Sequence, residues 1–292
     1  MIATVAAILL SIASWVTAAG VAASPPDAPD SLPPNAPARQ LVTDPDLSAT
    51  LQDYLSQLDG NYGIAVENLV DGRSVLIHSD QPSPTASMYK LLVMYRAFEK
   101  DQQGEISMDD TITIIGDDMA SAGPDEVPGV GSQLTVADAL HAMITYSSNS
   151  AAWALARHMG GWGEVFAAAN ELGMGLSAQD EGFVSSPADM LHFFELLYDQ
   201  KLVGAEASRQ MMQLLLGQTI NDRIPALLPS EVPVAHKTGD LEEVRNDGGI
   251  VLASGSDYII VIMANNVNPV QAVEAESLIS KMVYDRYGTS NG

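Results

Sequence analysis

The sequence predicts an α+β fold in which a sheet is interrupted by an inserted helical lobe. Three observations carry this: a β-rich hairpin early in the chain, a long central stretch of helical patterns, and three strand-like runs with a last amphipathic helix near the end. Two strands before the insertion and three after it make a five-stranded sheet. The sheet lobe is then expected from residues 44–85 and 230–287, and the helical lobe from 86–229.

Residues 1–23 are almost wholly apolar or small. Ile8, Leu9, Leu10, Ile12, Trp15 and Val16 form an apolar run, and Val21-Ala22-Ala23 offers a small-residue cleavage site before Ser24. This resembles a secretory signal peptide. A retained N-terminal anchor is the alternative, because no Lys or Arg precedes Arg39 and the run is about long enough to span a bilayer. The chain is expected to be exported, whether secreted, periplasmic or at the cell surface. Residues 24–43 begin SPPDAPDSLPPNAP and lack an apolar period, so they read as a proline-rich linker.

The folded domain is expected over 44–287. Leu47, Leu51, Leu55 and Leu58 recur at helical spacing, and Gly60 is placed to end that helix. YGIAVENL and RSVLIH flank Asp71-Gly72 and read as a hairpin. A helix follows Ser87, then a strand at 112–115, then a loop rich in Gly and Pro. Thr135 is placed to cap ADALHAMI, with Asp138 as its partner. Residues 150–172 are Ala-rich with little β-branching and read as helical. Ser186-Pro187 opens another helix, serine as cap and proline first, with Met190, Phe193, Phe194 and Leu197 as its apolar stripe. Residues 206–216 also read as helix. VPVAHKTG, GGIVLAS and YIIVIMAN are strand-like, with Gly255 in the last turn, and a final helix runs from about Pro269 to Tyr287.

Composition narrows the function. The net charge of −24, from 13 Lys+Arg against 37 Asp+Glu, disfavours nucleic acid and anionic membrane surfaces. A membrane is a partner only if the N-terminal segment is retained. With no cysteine there is no disulfide framework or thiolate metal site. The five histidines (78, 141, 158, 192 and 236) show no metal-ligand spacing and are read as structural. No cofactor is expected. There is no G-x-S-x-G elbow, no phosphate-cradling glycine loop and no distinct carboxylate pair of the glycosidase kind.

Three short motifs carry chemistry. SMYK places Ser87 and Lys90 three apart, on one helix face. A lysine whose ammonium has lost its proton can take the serine proton, and the apolar LLVMY that follows would bury the pair. Alone, the pair reads first as a surface serine beside a solvated lysine. In TYSSNSAA, the Ser147 hydroxyl can relay a proton and the Asn149 amide can hold a substrate carbonyl or the lysine; alone, this is a polar helix end. In HKTGD, Lys237 and Thr238 suit an anionic carboxylate, and Gly239 admits close backbone approach. The backbone N–H groups of Asp240 and Ser87 would make an oxyanion hole. Alone, this is a strand end turning at glycine.

The three patterns occur once each, in one order. Together they resemble the fingerprint S-x-x-K, S-x-N, K-T-G of the penicillin-recognising serine hydrolases. Within them the chain is similar to the class A β-lactamases, by length, motif spacing and YSSNSAA followed by Gly160-Gly161. The resemblance spans roughly 45–287. It implies an α/β/α sandwich lobe with an antiparallel five-stranded sheet, an all-α lobe, and a site in the cleft between them. It implies that Ser87 is acylated, Lys90 is base or relay, Ser147 shuttles a proton, Asn149 binds substrate, and Lys237 and Thr238 bind its carboxylate. Arg245 is a candidate second cation there, or else a surface ion pair. The expected partner is a small β-lactam or peptide-like substrate met by a monomer, and the implied activity is β-lactam hydrolysis of the kind that gives antibiotic resistance.

Two departures qualify that expectation. The family usually has S-D-N where this chain has Ser148 in the middle. The class A glutamate that activates the deacylating water lies on a long loop; here LGMGLSAQDEGFVSSPADM leaves little room and holds no E-x-x-L-N. Glu181 is the candidate there, with a solvated loop acid as the plain alternative. A non-hydrolysing penicillin-binding or sensor domain, an esterase and a D,D-peptidase therefore stay open.

Overall fold

Alternation along the last strand decides the layering. Ile260, Ile262 and Ala264 enter one core, Ile259, Val261 and Met263 the other, and all six are buried. A strand with period-two side chains that is apolar at every position must be covered on both faces. The structure, a computed structural model, describes residues 39–123, 125–179 and 182–289. The leader or anchor expected over 1–23, and residues 24–38 of the linker, lie outside the described residues.

In chain order the elements are β1 (Val42–Thr43), α1 (Pro45–Leu55), β2 (Asn61–Asn68), β3 (Arg73–Ile77) and β4 (Ser83–Pro84). A 3-10 turn, Ala86–Tyr89, leads into α2 (Lys90–Gln103). Then come β5 (Thr111–Thr113), β6 (Gln133–Thr135), α3 (Val136–Thr145), α4 (Asn149–His158), α5 (Trp162–Glu171), β7 (Ser177–Gln179), β8 (Gly182–Ser185), α6 (Pro187–Tyr198) and α7 (Ala205–Leu216). The chain closes with β9 (Val234–Leu241), β10 (Val244–Val251), β11 (Tyr258–Asn265) and α8 (Pro269–Tyr287).

The main sheet has the order β1-β3-β2-β11-β10-β9. The five expected strands pair antiparallel throughout, and the chain leaves the sheet after β3 and returns at β9. One face packs on α1 and α8 through Leu47, Leu51, Ala275, Ile279 and Val283. The other continues into the helical lobe as a second core, through Leu91 and Leu92 of α2, Met143 of α3 and Phe193 and Phe194 of α6. Asp44 ties the first layer together. Its Oδ1 accepts from Leu47 N at 3.2 Å, capping α1, while Arg286 near the end of α8 donates to both carboxylate oxygens at 2.9 and 3.1 Å.

The structure departs from the sequence expectations in four places. Residues 42–43, read as the end of the linker, form a sixth strand parallel to β3. Arg39 sits just before it and holds two buried acids, Glu67 at 2.7 Å and Asp199 at 3.0 Å. Two residues are too few to carry a period, so the pairing left no signal. The helix expected over 150–172 is two helices, broken where Gly160 (φ 110°) and Gly161 (φ 104°) take up conformations open to glycine. The first helix ends at Leu55 rather than running to Gly60, with Leu58 still packed against the core. The strand expected at 112–115 is the shorter β5, and it pairs with β6, which alternation did not reveal.

Candidate active site

The turn Ala86–Tyr89 presents Ser87, the candidate nucleophile, at the N-terminal end of α2. Ala86 is left-handed (φ 45°), a strained state for a residue with a Cβ, and it is held by packing on both sides. Beneath the turn the Tyr89 ring packs against Trp162 and Phe183, at 5.6 and 4.6 Å between centroids. On the other side β9 comes so close that a Cβ on Gly239 would lie 2.7 Å from Thr85 O and 3.2 Å from Ser87 N. Glycine is therefore required there by the chain's own backbone rather than by a substrate. Asn246 of β10 locks the approach, its Nδ2 donating to the carbonyls of Pro84 and Thr85 at 2.9 and 3.1 Å.

Lys90 is fully buried. Its Nζ lies 2.5 Å from Ser147 O, 2.7 Å from Asn149 Oδ1, 3.0 Å from Ser87 Oγ and 3.2 Å from Ser147 Oγ. Burial, and then the charge of Lys237, push its pKa well below the ordinary lysine value; Glu126 pulls the other way. The neutral amine fits these partners. Two N–H bonds go to the Ser147 carbonyl and the Asn149 amide oxygen, and the lone pair is left for the Ser87 hydroxyl proton.

Ser147 lies between α3 and α4 with φ 59°. Its Oγ accepts from Lys237 Nζ at 2.9 Å, so one hydroxyl bridges the two lysines. Lys237 is buried in β9 and also donates to Thr238 O at 3.0 Å. Burial lowers its pKa to about 7 against the raising effect of Asp247 and Asp240. Thr238 is buried, and its Oγ1 has no hydrogen-bond partner among the described residues. Ser87, Lys90, Ser147, Asn149, Lys237, Thr238 and Gly239 thus converge, from three separate stretches of chain. Asp240 follows Gly239, so its N–H belongs to the segment of β9 laid against Ser87.

A model of the β-lactamase enzyme family matches residues 46–287. The chain belongs to the β-lactamase enzyme family. Among solved structures it is similar to PBP-A, at 24% identity and TM-score 0.79, over 88% of this chain and 98% of that one. TLA-1 extended-spectrum β-lactamase is similar at 20% identity and TM-score 0.75, over 82% and 97% of the two chains. A β-lactamase from Chitinophaga pinensis is similar at 21% identity and TM-score 0.75, over 82% and 99%. At these identities the likeness concerns the fold.

Within this β-lactamase-family site, motif reading missed two residues. Glu126, from the loop between β5 and β6, accepts at Oε1 from Ser148 Oγ (2.7 Å), Asn149 N (2.6 Å) and Ser150 N (3.1 Å). It places a carboxylate at the N-terminus of α4, beside Ser148, where the family pattern has aspartate. Arg223, from the aperiodic segment before β9, is almost wholly buried. It donates to Asn246 O at 3.0 Å and to Asp240 Oδ1. The only sequence signal for either was a charged residue in a loop.

Arg245 resolves into an ion pair: its Nε lies 3.1 Å from the same Asp240 Oδ1, and its Nη1 donates to the carbonyls of Leu241 and Val244. His236 is structural, held between Asp247 (2.8 Å) and Asn221 (2.9 Å) behind Lys237. Glu181 lies outside the described residues; Gln179 and Gly182 on either side of residues 180–181 are paired across β7 and β8.

Proposed function

We propose that this β-lactamase-family member is a serine acyl hydrolase acylated at Ser87, and that it opens the β-lactam amide bond. The observation that supports this best is the unbroken contact chain Ser87 Oγ–Lys90 Nζ–Ser147 Oγ–Lys237 Nζ, at 3.0, 3.2 and 2.9 Å. The Ser87 hydroxyl gives its proton to the neutral Lys90 amine, and Oγ attacks the lactam carbonyl carbon. The developing oxyanion is met by the N–H groups of Ser87 and Asp240. Ser147 donates its hydroxyl proton to the departing ring nitrogen and is reprotonated from the lysines that flank it. Lys237 and Thr238 line the subsite for the substituent beside the departing ring nitrogen, the end that carries a carboxylate in penicillins. Water then cleaves the Ser87 ester.

A second reading, a lasting acyl adduct in place of turnover, is favoured by one observation. Between α5 and α6 the short strands β7 and β8 pair antiparallel, and the carboxylate acting on Lys90, Glu126, is engaged by the backbone of α4. PBP-A, similar in fold, is known in an acyl-enzyme complex with penicillin G in a variant form. Incubation with a chromogenic cephalosporin followed by intact-mass measurement separates the two. Turnover without a lasting adduct supports hydrolysis, and a persistent adduct on Ser87 supports the binder. Ser87→Ala abolishes both; an adduct surviving in that variant removes Ser87 from the mechanism.

A further inference from the structure

Three cations meet at the crevice end of β9: Lys237, Arg223 and Arg245. Their donors are largely taken by the chain itself. Lys237 donates to Ser147 Oγ and Thr238 O. Arg223 Nη1 is used by Asn246 O, and Arg245 Nη1 by two carbonyls of the β9–β10 turn. Both guanidinium groups also reach one shared atom, Asp240 Oδ1, while Arg223 Nε lies 3.5 Å from Asp222 Oδ1 and 4.0 Å from Glu276 Oε2. The Asp240 side chain is still 42% exposed, so the carboxylate stands at the accessible surface of the site rather than beneath it. The turn after it adds Glu242 and Glu243, both exposed.

We propose that Asp240 is the built-in anion of the acidic-end subsite, so that this chain selects acyl donors whose corresponding end is uncharged. The inference rests on the Ser87 acyl-transfer reading and specifies its substrate class. Asp240 and Thr238 stand two apart on one strand and so share a face. An incoming carboxylate meets a carboxylate already paired with both arginines, and like-charge juxtaposition opposes it. A neutral ester or amide end meets no such opposition. The Thr238 hydroxyl, buried and without a partner among the described residues, offers it one hydrogen bond to give or receive. The cations are thereby kept for holding β9 in register beside Ser87, and the negative rim screens out anionic substrates before they dock.

The test compares second-order acylation rates for one penicillin and its carboxamide, in which only the charge at that end differs. Wild type is expected to be acylated at least about tenfold faster by the carboxamide than by the carboxylate. Asp240→Asn is expected to raise the carboxylate-to-carboxamide ratio at least about tenfold, a decade corresponding to about 1.4 kcal/mol. Arg245→Gln, which leaves Asp240 less balanced, lowers the same ratio. A ratio in Asp240→Asn within twofold of wild type overturns the proposal. Sulfate supplies an arm that needs no acylation. Thermal unfolding of Asp240→Asn gains a saturable stabilisation by sulfate that wild type lacks, and equal stabilisation of both also overturns it. If wild type acylates with neither penicillin form, the acyl-transfer reading fails, and the sulfate comparison still decides whether Asp240 fills the subsite.

Discussion

Replacing Glu126 probes the brace behind Ser147. Its Oε1 takes three donors within 3.1 Å, two of them backbone N–H groups of the first turn of α4. Hydrogen bonds to a charged group contribute about 1.5–3 kcal/mol, and a helix cap about 1 kcal/mol. Water reaches part of this half-buried loop and recovers some of the loss when the carboxylate goes. Glu126→Ala is therefore expected to cost about 3 kcal/mol. For a domain of this size that is a fall in Tm of about 6–12 °C. Glu126→Gln keeps the shape and one accepting oxygen and loses the charge, so about 1 kcal/mol is expected. Because Ser148 and Asn149 are seated by the same oxygen, acylation by a chromogenic cephalosporin should also slow in the alanine variant, by more than about tenfold. Thermal unfolding and stopped-flow acylation measure both effects. A Tm for Glu126→Ala within about 1 °C of wild type refutes the brace.

Two further predictions concern protons. On the proposed mechanism acylation needs Lys90 as free amine, so its rate should rise with pH and level off well below the ordinary lysine range. Lys237→Gln removes the neighbouring positive charge that helps lower Lys90 and moves that limb to higher pH, while Glu126→Gln removes the opposing negative charge and moves it lower. A limb unmoved by either change, followed by stopped-flow across pH, removes Lys90 as the base. Buried Glu276 is held well above the usual carboxylate range, first by burial and in spite of Arg223. The folded state keeps a proton that the unfolded state loses near pH 4.5. Its contribution to stability is complete below that pH and is lost as pH rises through the folded value, by about 1.4 kcal/mol per unit. Glu276→Gln should match wild type near pH 5 and exceed it in denaturant midpoint near pH 9, and a constant difference across that range contradicts the assignment.

The parts legible in the sequence were those whose cause is local. Asp71-Gly72 needed only its own backbone to announce a hairpin, and Ser186-Pro187 its own cap: Ser186 Oγ accepts from Asp189 N at 3.1 Å. Thr135 caps α3 in the same way, bonding to Asp138 N at 3.0 Å. The candidate site groups were legible because S-x-x-K, S-x-N and K-T-G fix their own side-chain offsets along the chain. What stayed hidden acts at a distance from segments without a period. Glu126 reaches Asn149 across 23 residues and Arg223 reaches Asn246 across 23. Neither loop carries a pattern that announces its destination. The left-handed conformations of Ala86 and Ser147 were hidden for a related reason, since both are residue types with no preference for that region and are held in it by the packing around them.

The low lysine pKa values have to be reconciled with a chain of net charge −24, since negative surroundings favour the ammonium form. Distance resolves the conflict. Most of the acids are on the surface, where water and salt screen them beyond about 10 Å. Lys90 and Lys237 are buried at the junction of the two cores, joined through one serine hydroxyl. There desolvation is the largest influence on both, and for Lys90 the next is the other lysine. The acids that do come near are each held by something else: Glu126 by the first turn of α4, Asp247 by His236 and Asp240 by two arginines. Each of those contacts fixes a carboxylate that would otherwise be free to form a salt bridge with a lysine and return it to the ammonium form. On this account the arginines and His236 support acylation without touching the substrate. The amine that starts the reaction depends as much on where the negative charges are tied down as on its own burial.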